Sequence, residues 1–220
     1  MLYYHTISPG TLSLLKELMS IKDLGLFRLV GGTSLSLQLG HRISVDLDFF
    51  SAKMEVFELQ SMSGTGFTSF IHNIKCDFYN WSVPFIKEAF IKDQIRLASL
   101  EDIAAFKLDA IIRRKEKKDF WDIDALMYVF SLKDMFDFYK QKFIYNDIKI
   151  VLDALSEIDI ADESEEPIIV GEKKWDEVKK NIKEKWKEFQ LEKLKEKENE
   201  RFLRLQKAEE LLKQKKNKNE

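Results

Sequence analysis

The chain has 220 residues, 45% of them apolar, and carries 36 Lys/Arg against 38 Asp/Glu for a net charge of −2. That length suits one domain, or one domain with an appendage, and 17 Phe and 4 Trp supply large core side chains. The single cysteine, Cys76, excludes an internal disulfide framework and a cysteine-built zinc site.

The chain opens on Met1-Leu2-Tyr3-Tyr4-His5, without a cationic region leading into an apolar one, so no signal peptide is expected. Ser8-Pro9 reads as an N-cap with Pro at the first helical position, and Leu12, Leu15, Leu18 and Met19 follow at helical spacing. Phe27 to Val30 is a short buried strand running into Gly31-Gly32. Thr33 to Leu39 is a short helix stopped by Gly40. Ser44 to Phe50 alternates as a strand, with Val45, Leu47 and Phe49 on one face and Ser44, Asp46 and Asp48 on the other. Residues 61–70 form a loop or hairpin. Asn73 to Tyr79 alternates again, with Ile74, Cys76 and Phe78 opposed to Lys75, Asp77 and Tyr79, and Ile95 and Leu97 give a further short strand.

Ser99 with Asp102 resembles a capping box opening a helix to about Arg114. Lys115 to Lys118 is a charged break. Helices are expected over 119–130, from a Ser131 cap to about Phe143, and over 148–158, with an acidic turn from Ile160 to Pro167. From Lys173 a long helix carries Trp175, Val178, Ile182, Trp186 and Phe189 as an apolar stripe, continued less regularly by Leu191, Leu194, Phe202, Leu205 and Leu212. Residues 172–220 hold 17 Lys/Arg and 12 Asp/Glu, hence +5, and the last dozen are expected to be disordered. The preceding 171 residues are then −7, which excludes a uniformly basic nucleic-acid coat. No apolar run reaches the roughly 18 residues of a membrane span, so a soluble, cytoplasmic protein with no membrane contact is expected.

The chemistry lies between Leu29 and Phe50. A strand ending in Gly31-Gly32 turns tightly and lets a ligand approach the main chain. The helix that follows points free N–H groups and its positive dipole end at that spot, which favours phosphate, and Thr33 offers a hydroxyl. Asp46 and Asp48, at i and i+2 on a strand, place two carboxylates on one side. They repel, and a divalent cation is the usual compensator. Asp77 sits on another strand of the same alternation; if the two strands are neighbours, three carboxylates converge. Oxygen-only ligation favours Mg2+ or Mn2+ over zinc, and three His in the chain make a histidine-built site a poor expectation. Each piece alone has a plain structural reading, as solvent-facing acids on an edge strand or a Gly-Gly turn that holds nothing. Strung together in this order they point to a metal–nucleotide site.

In that order the residues from Gly31 to Ser51 resemble the DNA polymerase β-type nucleotidyltransferase superfamily and, more narrowly, the AbiEii-like nucleotidyltransferases, toxins of type IV toxin–antitoxin and phage-defence systems. A second block, Leu100 to Arg114 followed by Lys117 to Ile123, carries the same resemblance, which covers roughly residues 5 to 185. It implies an α+β fold: a polymerase β-like core, a small mixed sheet with helices, over 1–98, a helical bundle over 99–171 completing the active-site cleft, and a charged amphipathic helix with a disordered end over 172–220. It implies that Gly31, Gly32 and Thr33 cradle an NTP triphosphate, that Asp46, Asp48 and Asp77 hold Mg2+ or Mn2+, and that Asp77 acts as general base. Lys107 would neutralise phosphate charge. Asp119 or Asp122 would orient Lys107 or contact the nucleotide, Lys118 would belong to the same downstream motif, and Arg42 would support the site. Without the resemblance, Lys107 reads as an ordinary helix lysine, Asp119 and Asp122 as helix N-terminal charge, and His41 and Arg42 as loop and strand-flanking residues.

The resemblance implies transfer of a nucleotide from an NTP to an acceptor hydroxyl, with RNA as the expected acceptor and a tRNA end in particular, because some relatives modify tRNA. Basic contacts would come from Arg113 to Lys118 and from the tail. An aminoglycoside-type enzyme acting on a cationic small molecule is a second expectation, and a catalytically degenerate partner-binding member a third. A cognate antitoxin encoded nearby is expected, with no direct complex implied.

Overall fold

The computed structural model describes residues 1–52, 66–80 and 83–216. Ser8 accepts a hydrogen bond from the Thr11 N–H (3.0 Å) and Pro9 opens α1 (Pro9–Ser20), which buries Leu14, Leu15, Leu18 and Met19. Strand β1 (Arg28–Leu29) leads through Val30 into α2 (Gly31–Leu39), which starts two residues before its expected Thr33 boundary and closes on Gly40 at φ 73°. Strand β2 (Leu47–Ser51) starts later than expected. Residues 41–43 pair instead with a distant segment: Ile43 N–H donates to Ile168 O (2.7 Å), Val170 N–H donates to His41 O (3.0 Å), and Arg42 faces Ile169 in an antiparallel bridge. Val45, expected to be buried beside Leu47, precedes the ladder and is 62% exposed.

Strands β3 (Gly66–Ile71) and β4 (Ile74–Asn80) form a hairpin whose tight turn puts His72 and Asn73 at positive φ. Asn73, expected to begin the strand, therefore lies in the turn. Of the 61–70 stretch expected as a loop or hairpin, residues 66–70 are strand and 61–65 lie outside the described residues. A second hairpin, β5 (Phe90–Lys92) and β6 (Ile95–Leu97), turns at Asp93-Gln94 in the same way. The six strands make one mixed sheet in the order β3-β4-β2-β1-β6-β5, with β2/β4 and β1/β6 parallel and the other pairs antiparallel. One face is apolar: Leu47, Phe49, Cys76, Phe78 and Leu97 pack beneath α1, with Phe49 stacked on Phe78 at 4.9 Å.

Helices follow: α3 (Leu100–Arg113), α4 (Lys117–Leu126), α5 (Leu132–Lys142), α6 (Ile148–Ser156), a 3-10 stretch over Ile158–Glu163 where an acidic turn was expected, and α7 (Trp175–Lys216). The fold is α+β. Ser131 and Asp134 form a full capping box for α5. Ser99 accepts from the Asp102 N–H, but the Asp102 carboxylate does not return to the Ser99 N–H. It accepts from the Ile86 and Lys87 N–H groups and from Lys142. Helix α4 begins at Lys117, inside the expected charged break, and ends four residues before the expected Phe130. Trp175, Val178 and Ile182 of α7 are buried against α4 to α6, and Trp186 and Phe189 pack partly on the same cluster. Leu191, Leu194, Phe202 and Leu205 are exposed. The helix runs on to Lys216, further than expected; residues 217–220 lie outside the described residues, as does the side chain of Leu212.

Candidate active site

Period-two geometry builds the site from two neighbouring strands. In parallel β2 and β4, Asp48 faces Asp77 in register, and the next same-face pair is Phe50 with Tyr79. Asp46 lies two residues before Asp48, just ahead of the strand. All three carboxylates line one cavity of about 490 Å3, together with Gly31, Gly32 and Lys107. The other face of each strand belongs to the core, so the alternation of Leu47/Asp48/Phe49 and Cys76/Asp77/Phe78 is itself what aims the acids at the cavity.

Burial, then Asp77, push the Asp48 carboxyl up from its ordinary 3.8 to about 6; Asp46 adds to this, while Lys107 and Lys75 oppose it. Lys107 and Lys75 thus offset only part of what disfavours a charged Asp48. Asp77 carries its own counter-charge: Lys75 Nζ donates to its Oδ2 (2.6 Å) and Thr68 Oγ1 donates to its Oδ1 (2.5 Å). Among the described residues no three His, Cys, Asp or Glu side chains stand at ready metal-binding spacing. The donor set nonetheless fits a hard cation: oxygen atoms only, from Asp48 and Asp77 on one rung and Asp46 just ahead of it, all lining one cavity.

The start of α2 approaches the acids closely. Gly31 has φ +67°, and a Cβ on it would stand 2.3 Å from Asp48 Oδ2; a Cβ on Gly32 would stand 2.2 Å from Arg42 Nη2. Both glycines line the cavity, and Val30 at the N-cap offers no side-chain hydrogen bond to the first turn. Thr33 is placed differently from the expectation. It is buried, and its hydroxyl is engaged by the Asp46 carbonyl and by Ser44 Oγ (2.8 Å), so it anchors the approach to Asp46 and does not line the cavity.

Behind the cavity lies a buried charge cluster. Lys107 Nζ meets Asp119 Oδ1 at 2.9 Å and Asp122 Oδ2 at 2.5 Å. Arg42 grips Asp122 with two bonds, Nε to Oδ1 (2.6 Å) and Nη2 to Oδ2 (2.8 Å), and His41 Nε2 lies 2.7 Å from the same Oδ1. Arg114 Nε donates to Asp119 Oδ2 (2.9 Å). Burial alone would raise the Asp122 carboxyl, but Arg42 and Lys107 outweigh it and hold it well below the usual range. Burial likewise opposes the charged Lys107, which Asp122 and Asp119 more than restore. Three permanent cations, Lys107, Arg42 and Arg114, face Asp119 and Asp122 here, and Glu116, 3.8 Å from Arg114 Nε, completes the balance. Of the expected residues, Lys118 stands apart, at the rim and paired with Glu116 at 2.7 Å.

Sequence reasoning did not single out Lys75, Thr68, Phe50, Tyr79, Phe106 or Asp109 for the site. Lys75 and Tyr79 flank Asp77 at i±2 and Phe50 follows Asp48 at i+2, so the strand period already placed them on the cavity face. Nothing local marks Thr68 or Asp109. His41, read as a loop histidine, is bound into the cluster.

The family model for the nucleotidyl transferase AbiEii toxin of type IV toxin–antitoxin systems matches residues 13–75 and 76–208. An uncharacterized protein of Aquifex aeolicus (strain VF5) is 29% identical over 194 residues, covering 80% of this chain and 93% of its own length. Two crystal structures share the fold. A proposed nucleotidyltransferase from Helicobacter pylori has a TM-score of 0.56 at 17% identity over 85% of this chain and 98% of its own. The Helicobacter pylori protein JHP933 has a TM-score of 0.52 at 19% identity over 88% and 98%.

Proposed function

The chain belongs to the AbiEii nucleotidyltransferase toxin family of type IV toxin–antitoxin systems, and on that premise we propose that it moves a nucleotide from an NTP to an acceptor hydroxyl on RNA, using Mg2+ held by Asp46, Asp48 and Asp77. Family membership implies an NTP co-substrate and an antitoxin partner. The observation that carries the reading is the rung pairing of Asp48 with Asp77 directly beside the uncapped glycine start of α2.

In this reading the N–H groups of Gly31 and Gly32 bind the triphosphate, helped by the positive end of α2. Lys107 presents its ammonium to the phosphates, and Asp119 and Asp122 fix its position. Arg42 locks Asp122 and covers Gly32. Lys118 meets the ligand at the rim. Asp77 accepts the proton of the attacking hydroxyl, and Thr33 holds the Asp46 loop in place. When bound, the cation supplies Lewis-acid stabilisation of the charge on the transferred phosphoryl group. The remaining catalysis is positioning and charge neutralisation.

Among the described residues six cations line the cavity, Arg42, Lys75, Lys107, Arg113, Arg114 and Lys118, against four acids, Asp46, Asp48, Asp77 and Asp109, and this balance favours a polyanionic acceptor over a cationic aminoglycoside. The test is incubation of the protein with α-labelled NTPs, Mg2+, total RNA and an aminoglycoside. Label is expected on RNA and lost with Asp48→Asn; label on the drug alone, or label that survives Asp48→Asn, would refute the assignment.

A further inference from the structure

One wall of the cavity has no part in the reaction described so far. One rung beyond the Asp48/Asp77 pair, Phe50 and Tyr79 stand side by side, edge to face at 5.8 Å, and Phe106 of α3 meets Phe50 edge-on at 5.2 Å. All three rings line the cavity. Same-face residues on a strand are spaced by about 6.5–7 Å, so the aromatic rung lies about one nucleoside away from the carboxylates. Tyr79 is seated from behind. Its register partner on β3 is Gly66, where a Cβ would come within 2.2 Å of the tyrosine ring. The bare backbone there lets the ring lie across the strand. Phe106 is backed by the Lys142 ammonium, 4.5 Å from its ring centroid.

The direction of the chain decides which ligand this wall meets. Strand β1 runs antiparallel to β2, and Val30 N–H donates to Asp48 O (2.8 Å). The start of α2 therefore lies toward the Asp46 end of the acid row, and Phe50 and Tyr79 lie on its other side. In an in-line displacement the new bond to phosphorus forms opposite the one that breaks. With the β- and γ-phosphates against Gly31 and Gly32, the bond from the α-phosphorus to the bridging oxygen breaks toward α2, and its electron pair leaves with pyrophosphate. The acceptor oxygen bonds to the α-phosphorus from the aromatic side and gives its proton to Asp77. We propose that Phe50, Tyr79 and Phe106 form a stacking platform for the terminal nucleobase of the acceptor strand, not for the base of the NTP. Ring faces accept any base, so this wall selects a nucleic-acid end over a sugar without selecting its sequence. The inference rests on the nucleotidyl-transfer reading above.

The test is a binding comparison that needs no turnover. The full-length protein, with Mg2+ and α,β-methylene-ATP, is titrated into a short 5′-fluorescein oligoadenylate with a free 3′ end, and into the same strand with an abasic 3′-terminal ribose. Anisotropy is expected to show the abasic strand bound roughly tenfold more weakly. Tyr79→Ala should shrink that ratio to less than about twofold while calorimetric affinity for the ATP analogue stays the same, and Tyr79→Phe should keep the full ratio. Equal binding of the two strands by the unmodified protein overturns the proposal. So does a Tyr79→Ala protein that loses the ATP analogue but keeps its strand discrimination. Failure to label RNA would instead refute the reading on which the inference stands, with the strand comparison still readable.

Discussion

At the scale of single residues, the two halves of the site have opposite electrostatic characters. Asp48 is raised from 3.8 to about 6. Its folded form therefore prefers the proton, and the associated stability, present below about pH 4, is lost as pH rises through 6. Asp48→Asn should accordingly stabilise the metal-free protein at pH 7.5 by about 2 kcal/mol and leave it unchanged near pH 4. Chemical denaturation at the two pH values measures this. Adding Mg2+ should remove the difference by stabilising the unmodified protein. Asp122 behaves in the reverse sense: held well below 3.8, it stabilises the fold above that value and loses this contribution on acidification. Lys107 is the hinge between the halves. Lys107→Met leaves two buried carboxylates with one cation fewer and should destabilise the fold by about 3–5 kcal/mol in urea titrations, along with loss of nucleotide transfer.

At the scale of elements, the pairing of Asp102 with Lys142 shows how a loop is fastened to two helices. Both side chains are fully buried, and Asp102 also accepts from the Ile86 and Lys87 N–H groups while Lys142 donates to Pro84 O. The segment 84–87, leading toward β5, is thus tied to α3 and α5 together. Lys142→Met alone should cost about 3–5 kcal/mol, because it strands a buried carboxylate, and adding Asp102→Asn should recover part of that loss; the double-mutant cycle is read by thermal or urea unfolding. This pair also marks the limit of what the sequence made legible. Ser99-x-x-Asp102 carries the local signal of a capping box, and Ser99 does cap α3, but the Asp102 carboxylate accepts from the Ser99 hydroxyl (2.9 Å) and from Ile86, Lys87 and Lys142, partners the local pattern does not contain. The acid row was readable because strand alternation is local: Leu47-Asp48-Phe49 and Cys76-Asp77-Phe78 declare both faces. The β2/β4 register, the Thr68 contact and the Ser44–Asp46 approach were not, because each depends on how separate elements pair: β2 on β4, β3 across the hairpin to Asp77, and α2 through Thr33 to Ser44 and Asp46.

At the scale of the whole molecule, α7 divides into a docked and an undocked part. Trp175, Val178 and Ile182 are buried, whereas Leu191, Leu194, Phe202 and Leu205 are exposed. Truncation after Gln190 should therefore change stability by less than about 0.5 kcal/mol, while truncation after Gly171 should abolish the cooperative melt followed by circular dichroism. Family membership was readable from two short blocks, yet the shape that serves them draws on nearly the full length. The bridge between Arg42 and Ile169, with Pro167 and Ile168 on the cavity wall, brings late chain to early chain at the mouth of the site. A ribosome translating this chain has therefore made Asp46, Asp48 and Asp77 long before the wall beside them can close. Nascent and prematurely terminated products ending before about residue 165 should not transfer nucleotides, and incubation of such fragments with α-labelled NTP and RNA, beside the full chain, would show whether activity waits for the end of synthesis.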